Sequence, residues 1–263
     1  MGSATAQALA ASTQTLAAAK DITLDTAREL FAAARAVGDS SQLSGALADP
    51  AAPAAARQQV VAAVFGGLSE ASRAVLGAAV AERWSNADQL VDGIEELAIR
   101  SAAIAESGAD IEGQLFGFSR VVAANPELEL ALGSRLGGDD AKGELVERLL
   151  SGASAGAATT LIVSSLVRRP RERRVRQLLS RAIRIVSNQR GLVVATVHTA
   201  TDLSEAQRTR LRDALSRRYD GEVSLNVVID PAVVGGLRVQ IADDVIDGSI
   251  SARLADLRQK LAG

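Results

Sequence analysis

The stretch VSLNVVIDPAVVGGLRVQIADDVIDGSISAR, residues 223–253, decides the fold of the chain's last third. Its first part alternates: Val223, Leu225, Val227 and Ile229 point inward, Ser224, Asn226 and Asp230 outward. Leu237, Val239 and Ile241 repeat the pattern, with Arg238 and Gln240 outward. Period-two alternation of this kind predicts strands with one buried face. Gly235-Gly236 reads as a kink or close backbone approach where an edge strand begins, and Asp243-Asp244 as turn residues. A helix is predicted from about Ser249, since Ile250, Leu254, Leu257 and Leu261 form one stripe.

Working outward, LVVATVH sets Val193, Ala195 and Val197 on one face of another strand. Between the two strand regions, Ser204 and Gln207 fit a capping box, where hydroxyl and amide satisfy free backbone N–H groups. Leu203, Leu211 and Leu215 are spaced to cover a sheet face. Residues 191–263 thus read as a strand–helix–strand–hairpin–helix unit.

Upstream the period becomes helical, and a shift of about 85 residues overlays the chain on itself without a gap. Phe31 meets Phe116, Val37 meets Val122, and Ala46-Leu47 meets Ala131-Leu132. The same shift sets Leu76 on Leu161 and Arg83 on Arg168, and places Thr160, Ser164 and Ser165 opposite Val75, Ala79 and Val80. Such self-similarity marks a duplicated unit. Helix 3–20 maps onto 88–105, so one helix is expected to serve both copies. The fold class is mainly α with a small α+β C-terminal domain. Its parts are a helical bundle at 1–108, a second, basic bundle at 109–190, and the unit at 191–263.

Charge follows the copies. Residues 1–110 hold 7 Lys+Arg and 13 Asp+Glu, residues 111–190 hold 13 and 8, and residues 191–263 hold 9 and 10. Opposite signs on related bundles suggest different partners. The segment 168–190 carries nine arginines and one acid, Glu172. It reads as a cationic helix face that meets an acidic protein partner or solvent, or alternatively as a face for nucleic acid or another polyanion. It holds no aromatic side chain on which a base could stack.

Composition narrows the chemistry. Cysteine is absent and His198 is the one histidine, which excludes thiolate chemistry and multi-histidine metal cages. No run approaches a membrane span, and the opening MGSATAQALAAS lacks the basic start of a secretory signal. Gly152–Gly156, GASAG, matches the nucleophile-elbow pattern, but a helical stretch precedes it where the motif needs a strand; Ser154 reads as a helix N-cap. His198 reads as a strand histidine on a polar face. Gly235-Gly236 lacks the third glycine and following helix of a dinucleotide loop. Trp84, the only tryptophan, reads as an anchor of an interhelical loop or, alternatively, as an interface residue. No catalytic, cofactor or metal site is expected.

One pattern remains: Asp230, Gly235-Gly236, Leu237-Arg238-Val239, Val245-Ile246-Asp247-Gly248-Ser249 and Arg253. It resembles the signature of the F-type ATP synthase delta subunit, the oligomycin-sensitivity-conferring protein family, with Ala242 where the family carries glycine. The stretch from Leu47 to Trp84 is similar to the middle helices of that family's six-helix bundle, and LSEAQ at 203–207 to the start of a later helix. Residues 111–190 look like the duplicated bundle of longer actinobacterial forms, with no place in a short delta subunit. The resemblance implies a non-catalytic stator part at the cytoplasmic face of the membrane, joining the catalytic head to a separate b-type stalk. By the family's pattern an alpha-subunit N-terminal helix would lie in a groove around Leu9, Leu16, Val75, Leu76 and Val80. The stalk would take Leu254, Leu257 and Leu261. Copy two, with polar residues at Thr160, Ser164 and Ser165, is expected not to capture an alpha helix in the same way.

Overall fold

The computed structural model describes residues 2–134, 137–171, 173–241 and 244–250. The backbone packs into two compact units, Met1–Val186 and Ser187–Gly263. Each is considered by itself.

The first unit is helical. Copy one comprises α1 (Ser3–Ala18), α2 (Leu24–Asp39), α3 (Ser41–Ala48), α4 (Ala54–Val64), α5 (Glu70–Ala81) and α6 (Ala87–Ala105). Copy two continues with α7 (Ile111–Ala124), α8 (Pro126–Gly133), α9 (Asp139–Gly152), α10 (Ala157–Arg168) and α11 (Val175–Gln189). Most helices of copy one start on their own side chains. Thr23 and Thr26 form a capping box for α2, while Ser40, Ser69 and Asn86 accept from backbone N–H groups of α3, α5 and α6.

The duplication is visible in the elements, and its register needs correction. A shift of 85 carries α3 onto α8 end to end, and Leu47 and Leu132 are both fully buried. It carries the buried Arg57, Val61 and Phe65 onto the buried Lys142, Val146 and Leu150. At α5 it fails. The buried stripe Ser72, Val75, Leu76, Ala79, Val80 recurs in α10 as Thr159, Ile162, Val163, Leu166, Val167, a shift of 87. A longer α9 and a shorter link after it account for the two extra residues. One more residue in the next link makes the shift 88, setting Gln89-Leu90-Val91 of α6 on Gln177-Leu178-Leu179 of α11. So Leu161 and Arg168 are not the counterparts of Leu76 and Arg83. Nor do Thr160, Ser164 and Ser165 stand in for Val75, Ala79 and Val80. Copy two keeps the apolar face that the gapless overlay took away.

The shared helix is real. α6 packs on α1, α2, α3 and α5 of copy one and on α10 of copy two. Leu90, Val91, Ile94, Leu97, Ala98, Ile99 and Ala102 are all buried, along with Glu95, Glu96 and Ser101. In α1, by contrast, only Thr5, Ala8, Ser12 and Leu16 are buried. Trp84 precedes α6, is 3 % exposed, and donates its indole N–H to the Ala79 carbonyl at 2.7 Å. A Cβ at Gly93 would stand 2.1 Å from the Trp84 ring, so glycine is required there. The tryptophan is a core anchor.

The second unit holds β1 (Leu192–Thr199), α12 (Glu205–Tyr219), β2 (Glu222–Ile229), β3 (Leu237–Ile241) and β4 (Asp244–Asp247). The strand order is β2-β1-β3-β4, with β1 and β2 parallel and the other pairs antiparallel. A parallel pair needs a crossover, and α12 supplies it. Ser204 and Gln207 form the capping box foreseen for α12. Its Leu211 and Leu215, with Leu203, pack on Ala195, Val197, Val223, Val239 and Ile241. Two residues depart from the alternation. Asn226 is buried opposite Thr196 of the central strand, and Ile229 is 51 % exposed. Ile229 lies on the last rung of β2, outside the apolar cluster that α12 covers.

Candidate docking surfaces and the ionic clasp

The glycine pair of the second unit is a backbone device. Gly235 and Gly236 take φ of +67° and +75°, a left-handed region that other residues enter at a cost. A Cβ on Gly236 would stand 2.5 Å from the Gly248 carbonyl oxygen. The two segments meet because Gly248 N–H donates to the Leu237 carbonyl at 2.9 Å and Ile250 N–H to the Gly235 carbonyl at 3.2 Å. β3 is an interior strand, flanked by β1 and β4, so the pair does not open an edge strand as expected. A central position explains why the backbones must approach so closely.

The acids of the signature are turn-formers too. Asp230 accepts from Ala232 N–H at 2.9 Å, and its other carboxylate oxygen lies 3.7 Å from His198 Nδ1. An acid therefore does stand beside the half-buried histidine, brought there by the β2-to-β3 loop. Asp247 is held below the usual carboxylate range by hydrogen bonds from the Ser249 hydroxyl and amide; Arg238, opposite it across the strands, adds to this. Tyr219 donates to Asp244, and that bond raises the phenol above its ordinary value. Arg253 and the stripe Leu254, Leu257 and Leu261 lie outside the described residues, as do Ala242 and Asp243.

In the first unit, Leu16, Val75, Leu76 and Val80 are at most 1 % exposed, and Leu9 is half-buried. The four buried residues hold the bundle together and offer no surface of their own. The open side of α1 is made by Ala6, Gln7, Ala10, Gln14 and Ala17. At the start of that helix a cleft of about 540 Å³ is lined by Ala4, Gln7, Ala8, Pro50 and Trp84, among others. The Thr5 hydroxyl donates to Ser85 Oγ at 2.9 Å, fixing α1 to the α5–α6 link. In copy two the first helix of the bundle is α6, and its counterpart surface is buried.

Ser154 neither caps a helix nor sits on an elbow. It has φ of +54° in the turn after α9, while Gly156 is the N-cap of α10. The start of α10 is satisfied from a distance. Gln114 accepts from Gly156 N–H at 2.9 Å, and Glu106 from Ala158 N–H at 3.0 Å.

Six arginines of the run are paired with acids of the protein, while Arg174 and Arg184 are exposed. Arg171 donates to Asp92 at 2.7 Å and to Asp88 at 3.1 Å. Arg173 pairs with Asp92, and Arg181 donates to Glu95 at 2.8 Å and to the Asp92 carbonyl at 3.0 Å. Arg169 reaches back to the end of α2, where it pairs with Asp39 and donates to the Gly38 carbonyl at 2.9 Å. Arg168 pairs with Glu147, and Arg176 with Glu129. Burial pushes Glu95 above the ordinary carboxyl value, with Arg181 pulling the other way. The opposite charges of the two copies therefore meet in one clasp between α6 and the 169–181 segment, rather than marking two separate partners. At the six paired arginines a polyanion would have to displace these acids, and nothing supports the nucleic-acid reading.

A family model described as ATP synthase delta (OSCP) subunit matches residues 96–261. The chain is 50 % identical to an ATP synthase subunit delta of Leifsonia xyli subsp. xyli over 265 residues, covering 100 % of both. It is 39 % identical to that of a Parafrankia species, covering 89 % of this chain and 86 % of the relative, and 37 % identical to that of Streptomyces avermitilis, covering 98 % of each. The chain belongs to the ATP synthase delta (OSCP) subunit family, whose members are non-catalytic stator components. The match begins inside α6 and runs through copy two into the second unit. Copy two is therefore the bundle that matches the family model, and copy one is the segment that precedes it. This reverses the expectation that residues 111–190 have no place in a short delta subunit. No described helix is long and apolar enough to cross a membrane.

Proposed function

We propose that the chain is a mechanical link of the F-type ATP synthase stator, holding the catalytic head to the peripheral stalk against rotor torque. The family match across 96–261 carries this reading. Copy one receives an alpha-subunit N-terminal helix on the open side of α1 and its junction with α5, where small side chains allow close approach. Leu16, Val75, Leu76 and Val80 lie beneath that surface and fix its shape. Residues 191–263 take a b-type stalk helix through the Leu254, Leu257 and Leu261 stripe. The bundles at 1–108 and 109–190 form one stiff arm, because α6 and the clasp join them. Several attachments acting together keep each partner close after any one lets go.

Copy two offers no matching groove, and the reason is steric. Its α10 keeps the apolar stripe, but α6 lies buried where α1 is open. The test uses a labelled alpha N-terminal peptide and the full chain. Ala10→Arg, on the exposed face of α1, is expected to weaken binding by at least about tenfold through lost contact and desolvation. Arg184→Ala, at an exposed position of α11, should leave it unchanged. Unaltered binding to Ala10→Arg rules out this placement.

A further inference from the structure

Both copies have a cleft where the short third helix ends near the start of the last one, and the two clefts differ in what lines them. The ends of α8 and the start of α11 enclose a cleft of about 510 Å³, lined by Pro126, Glu129, Leu130, Arg174, Val175 and Arg176, among others. Leu130 is 75 % exposed, the most exposed of the large apolar side chains described. Its counterpart in α3 is Gly45. The contrast at the helix start is sharper. In α6 the cap is Asn86, which accepts from Gln89 N–H at 2.9 Å, and Asp88 lies in the first turn. In α11 the equivalent positions are Arg174 and Arg176. The Arg174 carbonyl accepts the first helical bond, from Leu178 N–H at 3.2 Å, so Arg174 stands at the N-cap position. The first turn of α11 holds no acid.

Arginine at both positions opposes the helix dipole, whose positive end lies there. Arg176 is paired with Glu129, but the Arg174 side chain is exposed and has no ion pair among the described residues. Copy one caps its helix start with the Asn86 side chain, whereas in copy two the Gln177 side chain accepts only the Arg174 N–H, and an excess positive charge is left beside an unburied leucine. We propose that this cleft docks an acidic amphipathic helix of a partner protein, one apolar side chain packing on Leu130 and one carboxylate pairing with Arg174. Charge complementarity names the acid, and the exposed leucine favours a protein helix over nucleic acid, which would find no aromatic platform in the cleft.

The probe is a synthetic helical peptide with leucines at i, i+4 spacing and glutamates flanking them, titrated against the full chain. A second peptide has lysine for every glutamate. Glutamate-peptide binding is expected, weakened about threefold or more by Leu130→Ala and likewise by Arg174→Gln, as one apolar contact and one exposed ion pair require. The lysine peptide should not bind. Both variants alter exposed side chains, and circular dichroism checks that each stays folded. The proposal falls if the glutamate peptide does not bind, if the lysine peptide binds equally, or if neither substitution matters. It also falls if anionic vesicles or single-stranded DNA bind the cleft, by the same two substitutions, more tightly than the peptide. No arm requires the ATP synthase, so failure here leaves the stator reading untouched.

Discussion

Copy one and copy two share a plan and differ in what holds it. Copy one starts α2, α3, α5 and α6 locally, on Thr23, Ser40, Ser69 and Asn86, while α1 and α4 have no side-chain cap. In copy two, Asp110 caps α7, but α8, α9 and α10 have no side-chain cap of their own. α10 leans on Glu106 and Gln114 instead. The links before the last helix differ the same way. Copy one inserts Trp84 into its core, and copy two sends Arg169, Arg171 and Arg173 to acids of copy one. Copy two is tied to copy one by ion pairs where copy one is closed by its own core. For a part that resists torque, a second bundle clasped to the first is a useful arrangement.

The largest effect should come from the apolar anchor. Trp84→Ala is expected to cost about 3–5 kcal/mol, the usual penalty for removing a large buried aromatic. Denaturant unfolding of the first unit would read it, and salt should leave the loss unchanged. A cost below about 1 kcal/mol would mean that the core of copy one refills the gap, and the contrast of anchors would fail.

Next comes the ionic anchor. Arg181→Ala removes the main partner of Glu95, whose side chain is 10 % exposed. About 2–3 kcal/mol should be lost, since a mostly buried carboxylate is left with weaker partners. Here salt distinguishes the two anchors. Raising ionic strength should narrow the gap between the parent chain and Arg181→Ala only slightly, because mostly buried charges are weakly screened, and should leave that for Trp84→Ala in place.

Glu95 also gives the clasp a pH signature. Burial raises its folded-state value above the ordinary 4.5. A carboxyl raised in this way binds its proton more tightly when folded. Its contribution is complete below the unfolded value and is lost as pH rises through the folded one. Relative to Glu95→Gln, the parent should therefore lose stability from about pH 4.5 upward. A flat difference across that range would show that Arg181 offsets the burial.

Most of the architecture was legible in the sequence because it is written in periods. The alternation of 223–241, the Ser204–Gln207 box and the repeated helical stripes each state a local geometry. The shared helix was legible from the overlap of two copies. What escaped depends on packing. Two residues added around the α9–α10 turn move Ile162 and Val163 into the core in place of Thr160 and Leu161, and only burial reports that. Buried groove residues such as Val75 look the same in sequence as exposed ones. The clasp was hidden for a different reason. Net charge by segment showed opposite signs but not that Asp92 and Arg171, 79 positions apart, meet.

The smallest predicted effect tests the comparison at one equivalent pair. Asn86 and Arg174 hold the same position at the starts of α6 and α11, one a good N-cap and one a poor one. Asn86→Ala should cost about 1 kcal/mol, because Gln89 N–H loses its acceptor. Arg174→Asn should do the reverse, stabilising the chain by about 0.5–1 kcal/mol through a new cap and relief of positive charge at the dipole's positive end. Thermal unfolding of the two variants beside the parent would read both signs. If Arg174→Asn destabilises instead, the arginine serves the fold of copy two directly, and its helix start is not the open end that the comparison makes it.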